Sequence, residues 1–434
     1  MNGARVALRE WESIGPADNA LLRDFRFETP EDRLLAGKLT GEGTVELREL
    51  YDGLHIRARS HVGRIQFGQL TLTITPKIGV HQLLTLFRYA YGLRDLKRYE
   101  SATYALDGNL FQDLLVAQLY QEVRQLIERG IARSYVGFEE DLSSPRGRVD
   151  FAGLARRGGA ADATLPCRHY PRSSDNLLNQ VVLAGLVSAY RITTDRGLAA
   201  DIGRQMSMMA EHTRPVRLSA SLLDKASRAL NRLVAPYEYI LRLIEILHFG
   251  TFVDFHDADE SYPLPGFLFD MNRFFQSLLD RFLSENLPGF HVQNQYRLTE
   301  MMRYVAGQNP QGRQSPKPRP DYAIHQKNKL VALLDAKYRD LWDRSLPREI
   351  LYQLSVYALS QPRVSTAAIL YPTMAGTARE SQIEIREPLT GRSAGFVALR
   401  PVLVDRLVGL IEAEGRRGQE AREQSARELA GVPA

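Results

Sequence analysis

Residues 319–338 read RPDYAIHQKNKLVALLDAKY, and this stretch decides the fold predicted for the C-terminal part of the chain. DYAIHQ and KLVALLDAKY each have the apolar content of a strand, and residues 326–328 between them predict a short hairpin. The second apolar run ends in Asp335 and Lys337, which project from the same face because they are two residues apart on a strand. Charged side chains at the end of a buried strand require an ion pair, a metal or a substrate.

The hairpin also predicts that Asp321, which opens the first strand, lies beside Asp335. Two converging carboxylates bind a hard divalent cation such as Mg²⁺ through oxygen. Such a cation polarises a phosphate and lowers the pKa of a bound water, while Lys337 orients that water or stabilises the developing charge. The residues therefore predict phosphodiester hydrolysis. The alternative is a surface hairpin whose Asp–Lys ion pair contributes less than about 1 kcal/mol.

The flanking sequence predicts an α/β core around this hairpin. HVQNQYRL before it and TAAILYP after it are typical of strands, and residues 307–320 form a polar loop rich in proline. PREILYQLSVYAL predicts a helix around 347–360 that places Gln353 and Tyr357 on one face, directed toward the site. Without the two aspartates, the same helix would be read as an ordinary amphipathic helix with a polar boundary.

The rest of the chain predicts a β-rich start and a helical middle. Between residues 44 and 78, alternating apolar and polar residues indicate a small twisted antiparallel sheet. An apolar stripe over 109–129 predicts a helix that Gly130 ends. Further helical patterns cover about 176–191, 220–247 and 267–284. Beyond Leu410 the sequence loses aromatic residues and gains charge, which predicts a frayed helix and a charged tail.

The composition excludes some classes of protein. A chain of 434 residues and 49.1 kDa predicts two or three domains. No apolar run is long enough to cross a membrane, and the N-terminus lacks the apolar segment of a secretion signal, so we expect a cytoplasmic protein. A single cysteine, Cys167, excludes an internal disulfide. The net charge of +5 and pI near 9.2 are compatible with a polyanionic partner.

The order Pro-Asp, apolar strand, Asp-x-Lys and Gln-x-x-x-Tyr helix resembles the PD-(D/E)xK nuclease superfamily, in particular its RecB-like branch. Four further motifs resemble the McrC family, which supplies the nuclease subunit of McrBC-type modification-dependent (type IV) restriction systems. They are VGRIQFGQLTLTITPKIG at 62–79, SPRGRVDF at 144–151, SSDNLLNQ at 173–180 and FLFDMNRFF at 267–275. The resemblance covers about residues 45 to 372.

This resemblance implies an α+β multidomain architecture with a C-terminal α/β nuclease core built on a mixed central sheet. The expected segments are an N-terminal β-rich partner-binding domain over 1–105, a helical middle over 106–260, the nuclease domain over 261–410 and the charged tail over 411–434.

The resemblance also assigns roles to site residues. It implies metal ligands at Asp321, Asp335 and Ala336 for Mg²⁺, with Mn²⁺ as a possible substitute, and Lys337 as the catalytic lysine. Gln353 and Tyr357 become the supporting residues on the helix. Family members often carry an acidic residue on the helix after FDMN, whereas this chain has Gln276 there and Asp280 one turn later. Either of these two residues, or neither, is the third ligand.

The implied partners are a McrB-like AAA+ GTPase hexamer and double-stranded DNA, expected to be modified. The partner, not this chain, would bind GTP, and the sequence leaves open whether the nucleotide is GTP or ATP. By this resemblance the chain cuts DNA after activation by the ring and stimulates nucleotide hydrolysis. Two alternatives remain: a non-catalytic adaptor that activates an AAA+ ring and binds DNA, and a stand-alone DNA repair nuclease.

Overall fold

The computed structural model describes residues 4–93, 111–135, 137–158, 163–253, 262–263, 266–299, 301–327, 329–360 and 366–433. The chain forms two compact units. The first contains residues 1–62, 66–100 and 269–434, and the second contains residues 63–65 and 101–268. Among the described residues, no helix combines the length and the apolar character needed to cross a bilayer.

The N-terminal part of the first unit is rich in strands. Its elements are β1 (Ala4–Arg9), β2 (Ser13–Ile14), α1 (Pro30–Gly41), β3 (Val45–Leu50), β4 (Gly53–Ala58), β5 (His61–Phe67), β6 (Leu70–Thr75) and α2 (Val80–Tyr91). β2, β4 and β3 form a three-stranded sheet with antiparallel pairs. β1 instead pairs with β6 in parallel.

The parallel pair corrects the sequence-based prediction of a single antiparallel sheet over residues 44–78. β3 to β6 are strands as predicted, but β3 and β4 belong to one sheet and β6 to another. Alternation of apolar and polar residues shows that a segment is a strand with one buried face, and it does not identify the neighbouring strand. A parallel pair needs a long connection, which the chain between β1 and β6 supplies.

The second unit is mainly helical. Its elements are α3 (Phe111–Arg129), β7 (Ser134–Tyr135), β8 (Phe138–Leu142), β9 (Arg148–Val149), α4 (Phe151–Arg156), β10 (Leu165–His169), β11 (Arg172–Ser173), α5 (Leu177–Ile192), α6 (Arg196–Ala210), α7 (Ala220–Arg228), α8 (Pro236–Thr251), β12 (Phe252–Val253) and β13 (Tyr262–Pro263). α3 ends at Arg129, and Gly130 directly after it has a positive φ of 95°, as expected of a glycine that ends a helix. The start of that predicted helix, residues 109–110, lies outside the described residues.

The helix predicted over 220–247 is wrong as one continuous element. α7 ends at Arg228, a short 3-10 helix follows at Arg232–Val234, and α8 begins at Pro236. The side chain of Asn231 accepts the N–H of Leu233 and thereby caps the 3-10 turn. Proline at the first position of α8 starts a new helix, because proline has no N–H to continue an existing one.

The C-terminal part of the first unit is built on a mixed sheet. Its elements are β14 (Gly266–Asp270), which has residues in both units, and α9 (Met271–Asn286), β15 (His291–Asn294), β16 (Tyr322–Gln326), β17 (Lys329–Ala336), α10 (Arg348–Leu359), β18 (Thr366–Thr373), β19 (Ser381–Arg386), β20 (Ser393–Leu403), α11 (Val404–Glu412) and α12 (Gly415–Ala430). The six-stranded sheet has the order β15-β16-β17-β18-β20-β19. β17, β18 and β20 run parallel, and the remaining pairs are antiparallel.

This sheet confirms the prediction of a mixed α+β protein with a mixed C-terminal sheet. Leu354, Tyr357 and Ala358 on α10 belong to the same buried apolar cluster as Leu333 of β17 and Ile369 of β18. The apolar face of α10 therefore covers one face of the sheet and fixes the direction in which its polar residues point. Residues 267–270 differ from the prediction, since they form β14 rather than the start of α9.

A helix is present after residue 410 as the sequence predicts, but it is not frayed. α12 is an ordered helix with Ala426 and Ala430 buried. The guanidinium of Arg422 donates to the carbonyls of Leu410 and Ala413, and buried Arg400 donates to the carbonyl of Leu429. These backbone carbonyls lie at helix ends, where they lack partners within the helix, so the arginines stabilise the C-terminus in a way that composition does not show.

Candidate active site

Asp321 lies immediately before β16 and is held by three amide donors. The backbone N–H of Ala336 donates to Oδ2 at 2.8 Å. The side-chain amide of Gln276 donates to the same oxygen at 3.1 Å, and that of Gln295 donates to Oδ1 at 3.1 Å. The carboxylate is 7% exposed. These donors fix its orientation toward the end of β17, where the sequence predicts its partner.

Asp335 is the penultimate residue of β17 and is 1% exposed. Its Oδ2 lies 3.0 Å from Nζ of Lys337 but accepts no hydrogen bond of good geometry among the described residues. Burial raises the pKa of Asp335 to about 6, the charge of Lys337 lowers it, and the charge of Asp321 raises it. Removing water from a carboxylate favours its neutral form, and a nearby cation counteracts that effect. A buried oxygen with spare lone pairs beside a second carboxylate is suited to a cation.

The structure therefore brings together Asp321, Asp335 and Lys337, as the sequence predicts. The register of the hairpin explains this arrangement, because Tyr322 pairs with Leu334 and the residues next to them are Asp321 and Asp335. Lys337 continues the strand, since its N–H donates to the carbonyl of Leu370 on β18 at 3.0 Å.

Gln353 and Tyr357 lie one turn apart on α10, and both reach this site. The amide of Gln353 donates to the phenol of Tyr357 at 2.7 Å and lies 3.5 Å from Oδ1 of Asp335, at the outer limit of a hydrogen bond. Burial raises the pKa of Tyr357 to about 12, so its phenol stays protonated. The glutamine side chain therefore links the helix to the carboxylate.

Of the two residues considered for a third ligand, Gln276 contacts the site directly through Asp321. Its backbone carbonyl accepts the phenol of Tyr322 at 2.6 Å, which holds this turn of α9 against β16. The described hydrogen bond of Asp280 comes from Ser284 at 3.4 Å, within α9. The structure thus places an amide, rather than a third carboxylate, beside Asp321.

Gln295 is a site residue that the sequence reasoning missed. It has a positive φ of 50°, which is uncommon for a residue other than glycine, and its N–H donates to the carbonyl of Asp321 at 2.7 Å. The available signal was its position directly after HVQN, the strand that pairs with β16. A glutamine at a strand end is too common to identify a site without that pairing.

The donor set fits a hard divalent cation. The two carboxylates supply oxygen, and the described residues contain no cluster of three or more His, Cys, Asp or Glu side chains placed to hold a metal. Mg²⁺ is commonly held by one or two carboxylates, with water and substrate oxygen in its other positions. Soft or imidazole-dependent metals find no matching ligands in this cluster.

Glu10 and Tyr338 anchor the chain that carries Lys337. Tyr338 donates its phenol to Oε1 of Glu10 at 2.9 Å, and the N–H of Lys77 donates to the same oxygen at 2.7 Å. Glu10 is 0% exposed, and burial raises its pKa from the usual 4.5 to about 7, against the lowering effect of these hydrogen bonds. The residue after Lys337 is therefore held by a buried acid at the end of β1.

We expect Glu10 to make the protein less stable as the pH rises from about 4.5 to 7. Its pKa is higher in the folded chain than in the unfolded chain, so the folded state binds more protons in this interval and loses stability as they leave. A shift from 4.5 to about 7 corresponds to roughly 3 kcal/mol of unfolding free energy. Glu10→Gln, which resembles the protonated acid, should flatten this dependence in urea unfolding measured from pH 5 to pH 8.

Glu31→Gln is the matched control, because Glu31 lies exposed in the first turn of α1. It should keep the wild-type slope of unfolding free energy against pH. Parallel slopes for wild type and Glu10→Gln would show that Glu10 is ionised in both states and would contradict this prediction.

The fold and the site together define a multi-sheet α+β protein with an oxygen-rich, lysine-containing cluster at the end of two neighbouring strands. The family model for the McrBC 5-methylcytosine restriction system component matches residues 56–372. The chain therefore belongs to that family. Among curated protein sequences, none matches this chain.

Two solved structures are similar to this chain. One is a chain of the refined half-complex from the tetradecameric assembly of Thermococcus gammatolerans McrB AAA+ hexamers with bound McrC. It is 18% identical, with a TM-score of 0.63 over 98% of this chain and 100% of that chain. The other is a chain of the cryo-EM structure of the T. gammatolerans McrBC complex, also 18% identical, with a TM-score of 0.48 over 65% of this chain and 88% of that chain.

Proposed function

We propose that this chain is the DNA endonuclease subunit of a McrBC-like restriction complex and that it hydrolyses phosphodiester bonds with Mg²⁺. The observation that carries the proposal is the convergence of Asp321, Asp335 and Lys337 at one end of β16 and β17, with Lys337 Nζ 3.0 Å from Asp335. Membership of the restriction family supports the same reading. A purely structural ion pair would not need the second buried carboxylate.

In this proposal Asp321, Asp335 and the carbonyl of Ala336 hold the cation, which when bound polarises a phosphate and makes a water more acidic. Gln276 and Gln295 hold Asp321 in one orientation through their amides. Lys337 presents an ammonium group to the negative charge that develops on the phosphate during hydrolysis. Gln353, supported by Tyr357, limits the movement of Asp335.

The proposed partner is a McrB-like AAA+ hexamer, because the structural relative with the TM-score of 0.63 comes from an assembly of McrB hexamers with bound McrC. In this proposal the ring binds the nucleotide and residues 1–105 of this chain dock onto it. Double-stranded DNA, expected to carry a modification, is the substrate. The positive net charge of the chain favours its encounter with DNA.

The proposal predicts an absolute requirement for a divalent cation. With the partner and nucleotide present, EDTA should abolish plasmid nicking, and Mg²⁺ or Mn²⁺ should restore it. The isolated chain should also be stabilised by Mg²⁺, because a ligand present at about 100 times its Kd adds roughly 2.7 kcal/mol to the unfolding free energy. A thermal unfolding scan against Mg²⁺ concentration measures this effect without any cleavage.

Potassium chloride at matched ionic strength is the control for a general salt effect. Cleavage that persists in EDTA, or unfolding that responds equally to Mg²⁺ and KCl, would contradict the metal site. Cleavage without partner or nucleotide would favour the stand-alone repair nuclease instead.

A further inference from the structure

Trp11, just beyond β1, has a backbone conformation that bulky residues rarely adopt. Its φ is 65°, in the left-handed region. The N–H of Trp11 donates to the carbonyl of Arg59 at 3.2 Å, which helps to hold this conformation. Strained residues of this kind persist only where the surroundings fix them, and they concentrate at binding and active sites.

Two arginine side chains contact Trp11. The guanidinium of Arg339 lies over the indole ring, 5.8 Å from its centroid. The guanidinium of Arg344 donates to the Trp11 carbonyl at 3.5 Å, a long hydrogen bond. Arg59 contacts Trp11 through its backbone carbonyl, so the two guanidinium groups found at Trp11 in the described structure are those of Arg339 and Arg344. The aromatic face and the carbonyl offset some of the repulsion between these cations.

The positive charge of this cluster is only partly neutralised. Arg59 forms a salt bridge with Glu46, which also pairs with Arg48. In the described part of the chain, Arg57, Arg339 and Arg344 form no salt bridge. Nε of Arg59 and Nε of Arg339 are buried without a hydrogen-bond partner among the described residues.

The neighbouring arginines also act on Arg339, and on β4 Arg57 pairs with Ser13, two residues after Trp11. Burial lowers its pKa, and the charges of Arg344, Arg57 and Arg59 lower it further, while Glu349 acts in the opposite direction. Cations held near one another with donors to spare are suited to an anion, because each guanidinium can bind a phosphate through two parallel N–H groups.

The cluster lies next to the proposed active site. Arg339 follows Lys337 by two residues, and its N–H donates to the Lys337 carbonyl at 2.8 Å. Two residues span at most about 7 Å along the chain, whereas successive phosphates of one DNA strand rise about 3.4 Å along the helix axis. A phosphate bound at Lys337 therefore leaves its neighbours within reach of Arg339. Tyr338, between these residues, is fixed by Glu10, the residue before Trp11.

We propose that Arg339 and Arg344, which contact Trp11, and the neighbouring Arg57 and Arg59 bind the phosphate backbone of duplex DNA beside the phosphate that is cut. We call these four residues the Trp11 arginine cluster. The inference rests on the proposed nuclease function and adds the surface that positions its substrate. The contacts are to phosphates, so they set affinity and placement without reading sequence.

DNA binding can be tested without cleavage. The Asp335→Asn chain is titrated into a fluorescently labelled DNA duplex, and anisotropy is measured between about 50 and 200 mM salt. Adding Arg57→Gln and Arg344→Gln should raise the Kd about tenfold or more. The slope of log affinity against log salt should fall by about 2, since each lost phosphate contact removes about 0.9. Both side chains are at least partly exposed, so the fold should tolerate the changes.

The matched control is Arg416→Gln with Arg417→Gln in the same Asp335→Asn background. These two arginines are exposed on α12 and are far from the cluster in sequence. Replacing them removes the same total charge as replacing Arg57 and Arg344. The control should keep the Kd of its parent to within about twofold and keep the same salt slope. Equal Kd and slope for the cluster variant and the control would overturn the inference, as would absence of binding at the lowest salt.

Trp11 itself provides a local readout. The chain has two tryptophans, so Trp342→Phe leaves Trp11 as the sole indole emitter. Duplex DNA should change its emission with the same Kd as the anisotropy titration, and unchanged emission at saturation would contradict the placement. The two proposals fail separately: if wild type binds DNA through the cluster but never cuts it, the nuclease function fails and the binding surface stands.

Discussion

Asp335→Asn is expected to reduce DNA cleavage by up to about a thousandfold while leaving the fold intact. The substitution keeps the size of the side chain and removes the negative charge that attracts a cation, and preorganised charges of this kind contribute on the order of 10²–10³ each to rate. Burial already raises the pKa of Asp335 to about 6, so ionising it costs folding free energy. The variant should therefore be at least as stable as wild type.

The measurement is nicking of supercoiled plasmid with partner, nucleotide and Mg²⁺, followed from seconds to hours so that a thousandfold change can be resolved. Asp224→Asn is the matched control, because Asp224 is exposed on α7 and pairs with Arg228 one turn away. The control should cut at the wild-type rate. Equal cutting by Asp335→Asn and wild type would remove Asp335 from the catalytic site.

Lys337→Gln is expected to have the next largest effect, a loss of about a hundredfold or more in cleavage. The ammonium group is the one cation within 3.0 Å of Asp335 in the described structure, and glutamine cannot supply its charge to the transition state. Lys337 also lowers the pKa of Asp335, so its removal raises that pKa. The residual activity should therefore require a higher pH than the wild-type activity does. In a plot of cleavage rate against pH, the rise on the acidic side should occur at a higher pH.

Plasmid nicking from pH 5.5 to pH 8.5 tests both parts of this prediction. Lys329→Gln, an exposed substitution at the start of the same strand, is the control and should keep both rate and profile. A lower rate with an unchanged rise on the acidic side would mean that Lys337 acts on the substrate alone. A wild-type rate would exclude it from catalysis.

Local sequence was sufficient to predict the strands and helix around the site. β16, β17, α10 and β18 all lie close to their predicted bounds, because each has a clear apolar period and a short connection to its neighbour. The turn alone would place Asp321 opposite Leu334, because it pairs Gln326 with Lys329. A register shift between Ile324 and His325 moves the pairing by one residue and brings Asp321 beside Asp335, so the sequence predicted the hairpin and the tertiary structure decided the final register. The roles assigned to these residues stay predictions until cleavage is measured.

Contacts between distant segments could not be predicted in this way. The parallel pairing of β1 with β6, the amide of Gln295 on Asp321 and the arginines around Trp11 all depend on which surfaces meet. None of these residues has an unusual local pattern. The ordered C-terminal helix α12 likewise depends on Arg400 and Arg422 binding backbone carbonyls elsewhere.

The sequence by itself determined that an acidic pair and a lysine end a buried hairpin, since strand periodicity and turn length are local properties of the chain. Only the tertiary structure decided what surrounds them: amides instead of a third carboxylate on Asp321, a buried Glu10 behind Lys337, and a set of arginines beside it. The physical reason is that burial and charge proximity arise from packing between segments far apart in sequence. Burial raises the pKa of both Asp335 and Glu10, and the charge of nearby Lys337 lowers the pKa of Asp335.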